Sequence, residues 1–98
     1  MKILAIEREK SGVTAEQFQP HLRAEAMQAW RLYQSGVIRE LYFSQDEHCA
    51  VLILECADAA EARQALDTLP LVREGLITFD VIPLVPYPGF ERLFSEQL

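Results

Sequence analysis

Two long apolar runs constrain the fold of this chain more than any other feature of its sequence. Residues Cys49 to Cys56 (CAVLILEC) and Leu76 to Leu84 (LITFDVIPL) are almost continuously apolar, which is typical of strands covered on both faces. Only Thr14 to Ser35 and Asp58 to Leu69 have the length and periodicity of helices. Two helices cover one face of a four-stranded sheet, so we expect a second polypeptide on the other face. The simplest candidate is a second copy of the chain.

The remaining segments complete a β-α-β-β-α-β order. Lys2 to Arg8 and Val37 to Ser44 alternate as strands, and the first of them carries Ile3, Ala5 and Glu7 on one side. Pro20 predicts either a kink in the first helix or a restart of the helix at that residue. The order is typical of the α+β ferredoxin-like fold, in which two helices lie on one face of an antiparallel four-stranded sheet. We expect two such sheets to pair through their open faces into a dimeric α/β barrel.

Length and composition indicate one cytoplasmic domain that spans residues 1–98. No apolar run approaches the roughly 20 residues of a membrane span, and the first ten residues, MKILAIEREK, carry charges where a signal peptide needs an apolar segment. The net charge of −6 opposes binding to nucleic acid and to anionic lipid. Residues 86–98 are interpreted as a C-terminal tail, which either stays on its own subunit or is exchanged between subunits.

The sequence carries no motif for a metal or a cofactor. It contains no Gly-rich phosphate loop, no CxxC, no HExxH and no nucleophile-elbow serine. Cys49 and Cys56 stand seven residues apart on one predicted strand, which is too far for a disulfide. Neither histidine stands at metal-ligand spacing from them. We therefore expect neither a metal nor a cofactor.

Glu25 interrupts the apolar face of the first predicted helix and is the first candidate catalytic residue. At about 100° per residue, that face comprises Phe18, Leu22, Ala26, Ala29, Leu32 and Tyr33. A carboxyl on such a face either finds a partner, has a raised pKa or faces a cavity. Groups with perturbed pKa are enriched at proton-transfer sites. The alternative is a structural pair between Glu25 and either His21 or Arg39.

Two histidines are the other catalytic candidates. His21 lies one helical turn before Glu25, so the two side chains either form a carboxylate–imidazole pair at a site or pair on the helix surface. His48 closes the polar turn Gln45 to His48 between two predicted strands. A residue there is either exposed to solvent or directed into the mouth of a barrel.

Three further residues are candidates for binding a ligand. Arg39 shares one side of a predicted strand with the apolar residues Val37, Leu41 and Phe43. It either binds a ligand carboxylate or neutralises Glu55 or Asp80 within the protein. Tyr42 and Tyr87 are candidate hydroxyl donors at a pocket wall, and the alternative for each is an aromatic core residue.

Residues Ala24 to Pro88 resemble muconolactone isomerase and its relatives in the dimeric α/β barrel superfamily. The resemblance rests on Glu25, Leu32 to Gly36, Arg39, Leu41, Glu55, Leu69 to Leu71 and the Asp80 to Pro88 segment with its Tyr-Pro end. It implies a homodimer or larger homo-oligomer with a small-molecule pocket in each subunit. It also implies that Glu25 moves a proton on a small lactone acid. The chain departs from the family pattern at Leu22, His48 and Ala50 and between Leu71 and Asp80, which indicates a ligand other than muconolactone.

These observations favour a cofactor-independent isomerase or lyase. In this hypothesis Glu25 moves a proton next to a carbonyl, His48 or Tyr42 holds the oxygen, and Arg39 attracts a carboxylate. One alternative is a non-catalytic ligand-binding or assembly module, which predicts a filled or narrow interior. The other is a cofactor-free oxygenase of quinone-like compounds, which predicts oxygen uptake.

Overall fold

The four predicted strands form one antiparallel sheet. In the computed structural model, which describes residues 1–94, the strands are β1 (Lys2–Glu9), β2 (Ile38–Phe43), β3 (Ala50–Glu55) and β4 (Ile77–Pro83). Each lies within one residue of its predicted bounds. The spatial order is β2-β3-β1-β4, and every neighbouring pair is antiparallel. This arrangement confirms the α+β ferredoxin-like fold.

The first predicted helix is divided at Pro20. It consists of α1 (Ala15–Phe18), a 3-10 turn (Gln19–His21) and α2 (Leu22–Gln34). Pro20 lies at the start of the 3-10 turn, where the missing amide proton of proline sacrifices no helical hydrogen bond. The helix is therefore interrupted and restarts at Pro20. It leaves α2 through Gly36, whose φ of 86° is the left-handed conformation that glycine adopts without strain.

The second predicted helix is shorter than expected and is followed by an additional one. α3 (Ala59–Leu66) begins after Asp58, whose side chain caps the helix by accepting a hydrogen bond from the Glu61 amide at 2.9 Å. The sequence predicts no helix after Leu69, but Pro70 begins a short α4 (Pro70–Arg73), because the fixed φ of proline suits the first helical position.

The helices cover one face of the sheet unevenly. That face carries the buried residues Ile3, Ala5, Leu52, Leu54, Ile77 and Phe79. α3 packs closely against it through Ala62 and Leu66, whereas no residue of α2 is fully buried. Because α2 stands away from the strands beneath it, an open volume remains between this helix and the sheet.

The other face of the sheet has an apolar centre and a charged edge. Leu4 lies between Ile53 of β3 and Ile82 of β4 in the strand register, and Leu4 and Ile53 are only partly buried. At the edge, Arg8 Nε donates to Asp80 Oδ2 at 2.8 Å. The described residues thus leave hydrocarbon exposed on this face, as the apolar runs predicted.

The segment after β4 extends away from the domain. A 3-10 turn (Gly89–Leu93) is its only regular element within the described residues. The large apolar side chains Val85, Tyr87, Phe90, Leu93 and Phe94 are all exposed. The radius of gyration is 16.7 Å, against about 13 Å for a compact chain of this length. Residues 95–98 of the predicted tail lie outside the described residues. Within residues 1–94, no helix is long and apolar enough to cross a membrane.

Candidate functional site

A cavity of about 540 Å³ lies between α2 and the sheet. Most of its lining is apolar and includes Leu22, Ile38, Leu52, Leu69, Ile77 and Phe79. The polar groups in the lining are Glu7, Glu25, Tyr42 and His48. Small-molecule sites have this volume and this composition, with an apolar wall and a few polar groups that orient the ligand.

Glu25 is half-buried at the wall of this cavity. Its Oε1 atom accepts a hydrogen bond from the Leu71 amide at 2.9 Å, so it satisfies one of the free amides at the start of α4. This partner is neither His21 nor Arg39, the two expected for a structural pair. Burial raises the pKa of Glu25, and the negative charge of Glu7 raises it further, while the bond from Leu71 acts in the opposite direction.

Glu7 is a second carboxyl in the cavity and was not among the predicted site residues. It lies on β1 and is only 7% exposed, and its Oε1 atom accepts from the Ala50 amide at 2.8 Å. Burial is the main cause that raises the pKa of Glu7. The signal was present in the sequence, because a carboxyl shares one strand side with Ile3 and Ala5. Glu7 on its strand and Glu25 on its helix thus each interrupt an apolar face.

The raised pKa of Glu7 predicts a pH-dependent stability. A carboxyl whose pKa is higher in the folded protein contributes its full stability at low pH, and this contribution is lost as the pH rises through the folded pKa. We expect the unfolding free energy of the Glu7→Gln variant, relative to wild type, to increase between acidic and neutral pH in denaturant titrations. The control is Glu16→Gln, which removes an exposed carboxyl. A pH-independent difference between Glu7→Gln and wild type would contradict the prediction.

His48 stands at the mouth of the cavity. It ends the hairpin turn with a φ of 54°, a left-handed conformation that histidine tolerates better than most residues. The turn is closed by the His48 amide, which donates to the Ser44 carbonyl at 3.0 Å. The imidazole lies edge-on to the Phe43 ring, with centroids 6.4 Å apart. His48 is thus exposed to solvent and also lines the cavity.

Tyr42 lines the cavity, but its hydroxyl is engaged elsewhere. The phenol donates to Glu40 Oε1 at 2.7 Å. This hydrogen bond is the main reason that the pKa of Tyr42 is raised. The phenolic proton is therefore already used in the hydrogen bond to Glu40.

Arg39 lies outside the cavity because of a β-bulge. The register of β2 against β3 shifts between Ile38 and Glu40, which interrupts the alternation assumed from the sequence. Ile38 consequently lines the cavity with Leu41, whereas Arg39 does not. The Arg39 Nε atom donates to the Gly36 carbonyl at 2.7 Å.

His21 and Tyr87 also lie outside the cavity lining. His21 ends the 3-10 turn and affects Glu25 only through its charge, which lowers the pKa of that carboxyl. Tyr87 lies in the extended segment after β4, with its ring edge-on to Phe90 at a centroid distance of 5.1 Å. Within residues 1–94, no group of three or more His, Cys, Asp or Glu side chains is arranged to hold a metal ion.

The fold and the cavity define a ferredoxin-like α+β protein with a mostly apolar cavity that two carboxyls line. The sequence profile of the muconolactone delta-isomerase family matches residues 5–89. The chain therefore belongs to the muconolactone delta-isomerase family, as the resemblance predicted.

Two solved structures share the fold. A muconolactone isomerase structure superposes with a TM-score of 0.69 at 18% identity, covering 91% of this chain and 93% of the other. The second is 5-chloro-2-hydroxyhydroquinone dehydrochlorinase from Burkholderia phenoliruptrix AC1100, in complex with 2,5-dihydroxybenzoquinone. It superposes with a TM-score of 0.70 at 15% identity, covering 91% of this chain and 98% of the other. No curated protein sequence matches the chain.

Proposed function

We propose that this protein is a cofactor-independent isomerase or lyase that moves a proton on a small carbonyl compound, with a lactone or a related cyclic acid as the class of substrate. The observation that carries the proposal is the position of Glu25, a half-buried carboxyl with a raised pKa at the wall of a 540 Å³ cavity. A carboxyl whose pKa lies closer to neutrality is a better proton-transfer group at physiological pH.

In the proposed reaction, Glu25 acts first as a base and then as an acid. Its carboxylate removes a proton from a carbon that is next to the carbonyl or conjugated with it through the ring double bond. The C–H electron pair moves toward the carbonyl oxygen to form an enolate. The protonated Glu25 then returns a proton to a different carbon of the conjugated system, which completes an isomerisation. His48 is placed at the cavity mouth to hydrogen-bond the oxygen on which negative charge develops.

Two properties of the site favour catalysis over a non-catalytic binding or assembly module. Such a module predicts a filled or narrow interior, whereas the cavity has room for a small ring compound. It also predicts an ordinary pKa for Glu25, whereas burial raises the pKa of this carboxyl. The names of the two structural relatives, an isomerase and a dehydrochlorinase, agree with chemistry on small oxygenated rings.

Proton transfer is tested by NMR in D₂O with two lactones. Muconolactone carries a carboxylate, and α-angelica lactone offers a similar unsaturated ring without one. We expect the wild-type protein to accelerate isomerisation, with deuterium incorporation, of at least one of them over buffer. Binding of both lactones without isomerisation or deuterium uptake would favour the binding module instead.

We also propose that the working unit is at least a homodimer in which the open sheet faces pack together. The exposed hydrocarbon around Leu4 and Ile53 supports this arrangement, because contiguous apolar surface marks an interaction site. The segment from Pro86 onward is proposed to cross to the partner subunit, since its own domain leaves Tyr87 and Phe90 exposed.

Truncation tests the role of the tail in this assembly. We expect deletion of residues 90–98 to weaken self-association by about tenfold or more, because the apolar side chains of Phe90, Leu93 and Phe94 lose their contact with the partner. Sedimentation velocity over a concentration series measures the effect. The control is Glu91→Gln, which keeps the tail. An unchanged association constant after truncation would exclude the tail as a main contact.

A further inference from the structure

Glu7 is a buried carboxyl that the proposed reaction does not use. It is the only charged side chain that is buried among residues 1–94. It occupies a central strand between apolar neighbours, where an aliphatic side chain would cost much less to bury. The Ala50 amide donates a hydrogen bond to one of the two carboxyl oxygens, Oε1. Within the described residues no group donates a hydrogen bond to Oε2, so this second oxygen can accept one from a ligand.

The charges around the cavity are unbalanced. Glu7 and Glu25 both line it, and among residues 1–94 no lysine or arginine does. Residues 95–98 contain neither lysine nor arginine. The one basic group in the lining is the imidazole of His48, which lies at the mouth. Glu25 resembles Glu7 in having one oxygen, Oε1, bound to a backbone amide.

Other titratable groups near the two carboxyls do not correct this imbalance. Glu9 lies two residues beyond Glu7 on β1 and raises its pKa. Cys49 precedes β3, and burial raises the pKa of its thiol. His21 lies one turn before Glu25 and outside the lining. β2 contributes Tyr42 to the lining, and α4 and β4 contribute only apolar side chains. Arg39 of β2 lines an adjoining cavity that shares Tyr42 with this one, and its Nε atom is bound to the Gly36 carbonyl.

The structure assigns Glu7 as the specificity-determining residue of this cavity. Together with Glu25 it favours a neutral ring that donates hydrogen bonds, such as a hydroxylated or enolic lactone, over a ring that carries a carboxylate. This inference rests on the proposed function and narrows its substrate class from lactones and cyclic acids to neutral, hydroxylated lactones. A ligand carboxylate would lose its hydration in the apolar cavity and then face two carboxyls without a cation. A ligand hydroxyl donates to a carboxylate oxygen, because an ionised carboxylate only accepts hydrogen bonds.

The matched probes hydroquinone and benzoate test the selection, since they share a ring and differ in charge. In calorimetric titrations of the full chain at neutral pH, we expect hydroquinone to bind wild type at least about tenfold more tightly than benzoate. Glu7→Gln retains an oxygen that can accept from the Ala50 amide, and we expect it to strengthen benzoate binding about tenfold. The control is Glu16→Gln, which removes an exposed carboxyl on α1 and is expected to leave the ratio of affinities unchanged.

A pH series on wild type and Glu7→Gln provides a second test with benzenesulfonate, which stays anionic at neutral and mildly acidic pH. We expect its binding to tighten at the lower pH more in wild type than in Glu7→Gln, because the raised pKa of Glu7 favours its protonation there and the repulsion falls. His48 is present in both proteins, so the difference between them reports Glu7.

Several results would overturn the inference. One is the absence of hydroquinone binding, and another is equal wild-type affinities for hydroquinone and benzoate. The others are equal effects of Glu7→Gln and Glu16→Gln, or an equal pH dependence of benzenesulfonate binding in wild type and Glu7→Gln. These binding measurements separate the inference from the proposed function. Selective binding without lactone isomerisation or exchange removes the proposed function alone. Isomerisation or exchange without selectivity removes the inference alone.

Discussion

Glu25→Gln is expected to lower the rate of lactone isomerisation by about 10²- to 10⁴-fold, the usual contribution of a general acid–base group. Glutamine retains an oxygen that can accept the Leu71 amide, so the contact between α2 and α4 is preserved. Glutamine has no titratable proton, so no group at this position can carry the proton between the two carbons of the substrate. The value of kcat/KM, measured by NMR for the lactone that wild type converts, reports the loss.

The pH profile and a matched variant make this expectation specific. Because burial raises the pKa of Glu25, kcat/KM for its action as a base should increase as the pH rises through that raised pKa. The control is Glu61→Gln, which removes an exposed carboxyl on α3 and should leave kcat/KM unchanged. Full turnover by Glu25→Gln would exclude Glu25 as the proton carrier.

Ile53→Asp is expected to weaken self-association by about 100-fold or more, because the two-fold related copies would bury two unpaired carboxylates. Ile53 lies opposite Leu4 at the apolar centre of the open sheet face. Within one subunit the side chain is only partly buried, so circular dichroism should still show a folded protein. Light scattering behind size-exclusion chromatography over a concentration series measures the change in mass.

A control variant with the new charge on another surface distinguishes disruption of the sheet interface from a general effect of added charge. Ala24→Asp adds the same charge on the exposed surface of α2 and should leave the mass unchanged. If wild type itself is monomeric at micromolar concentration, the proposed pairing of the two sheets is wrong. If Ile53→Asp remains a dimer, the subunits meet through another surface.

The sheet could be predicted closely because its strands are bounded by strong local signals. The apolar runs end at turns and prolines, and this places the ends of β3 and β4 within one residue. α4 could not be predicted in the same way, since a helix of four residues is too short to show a period. The bulge in β2 was also missed, because it depends on the pairing with β3 and not on the sequence of β2 alone. For this reason Arg39 was assigned to the same side as Leu41.

The candidate site was predicted only in part for a similar reason. Glu25 could be identified because one carboxyl on an apolar helical face is conspicuous, and the structure places it in the cavity. Its bond to the Leu71 amide joins residues 46 positions apart, and no local pattern encodes such a contact. Glu7 was overlooked because an alternating strand with a terminal charge also fits an ordinary surface edge. Its burial becomes visible only when α2 and β3 are placed beside it.

The hydrogen bond between Glu25 and Leu71 has a stereochemical consequence. If Glu25 is the proton carrier, Oε1 is held by the backbone and only Oε2 exchanges a proton with the substrate, from one fixed direction. A planar enolate lying in the cavity would then receive its proton on a single prochiral face. Deuterium delivered from D₂O should consequently appear in one enantiotopic position of the product.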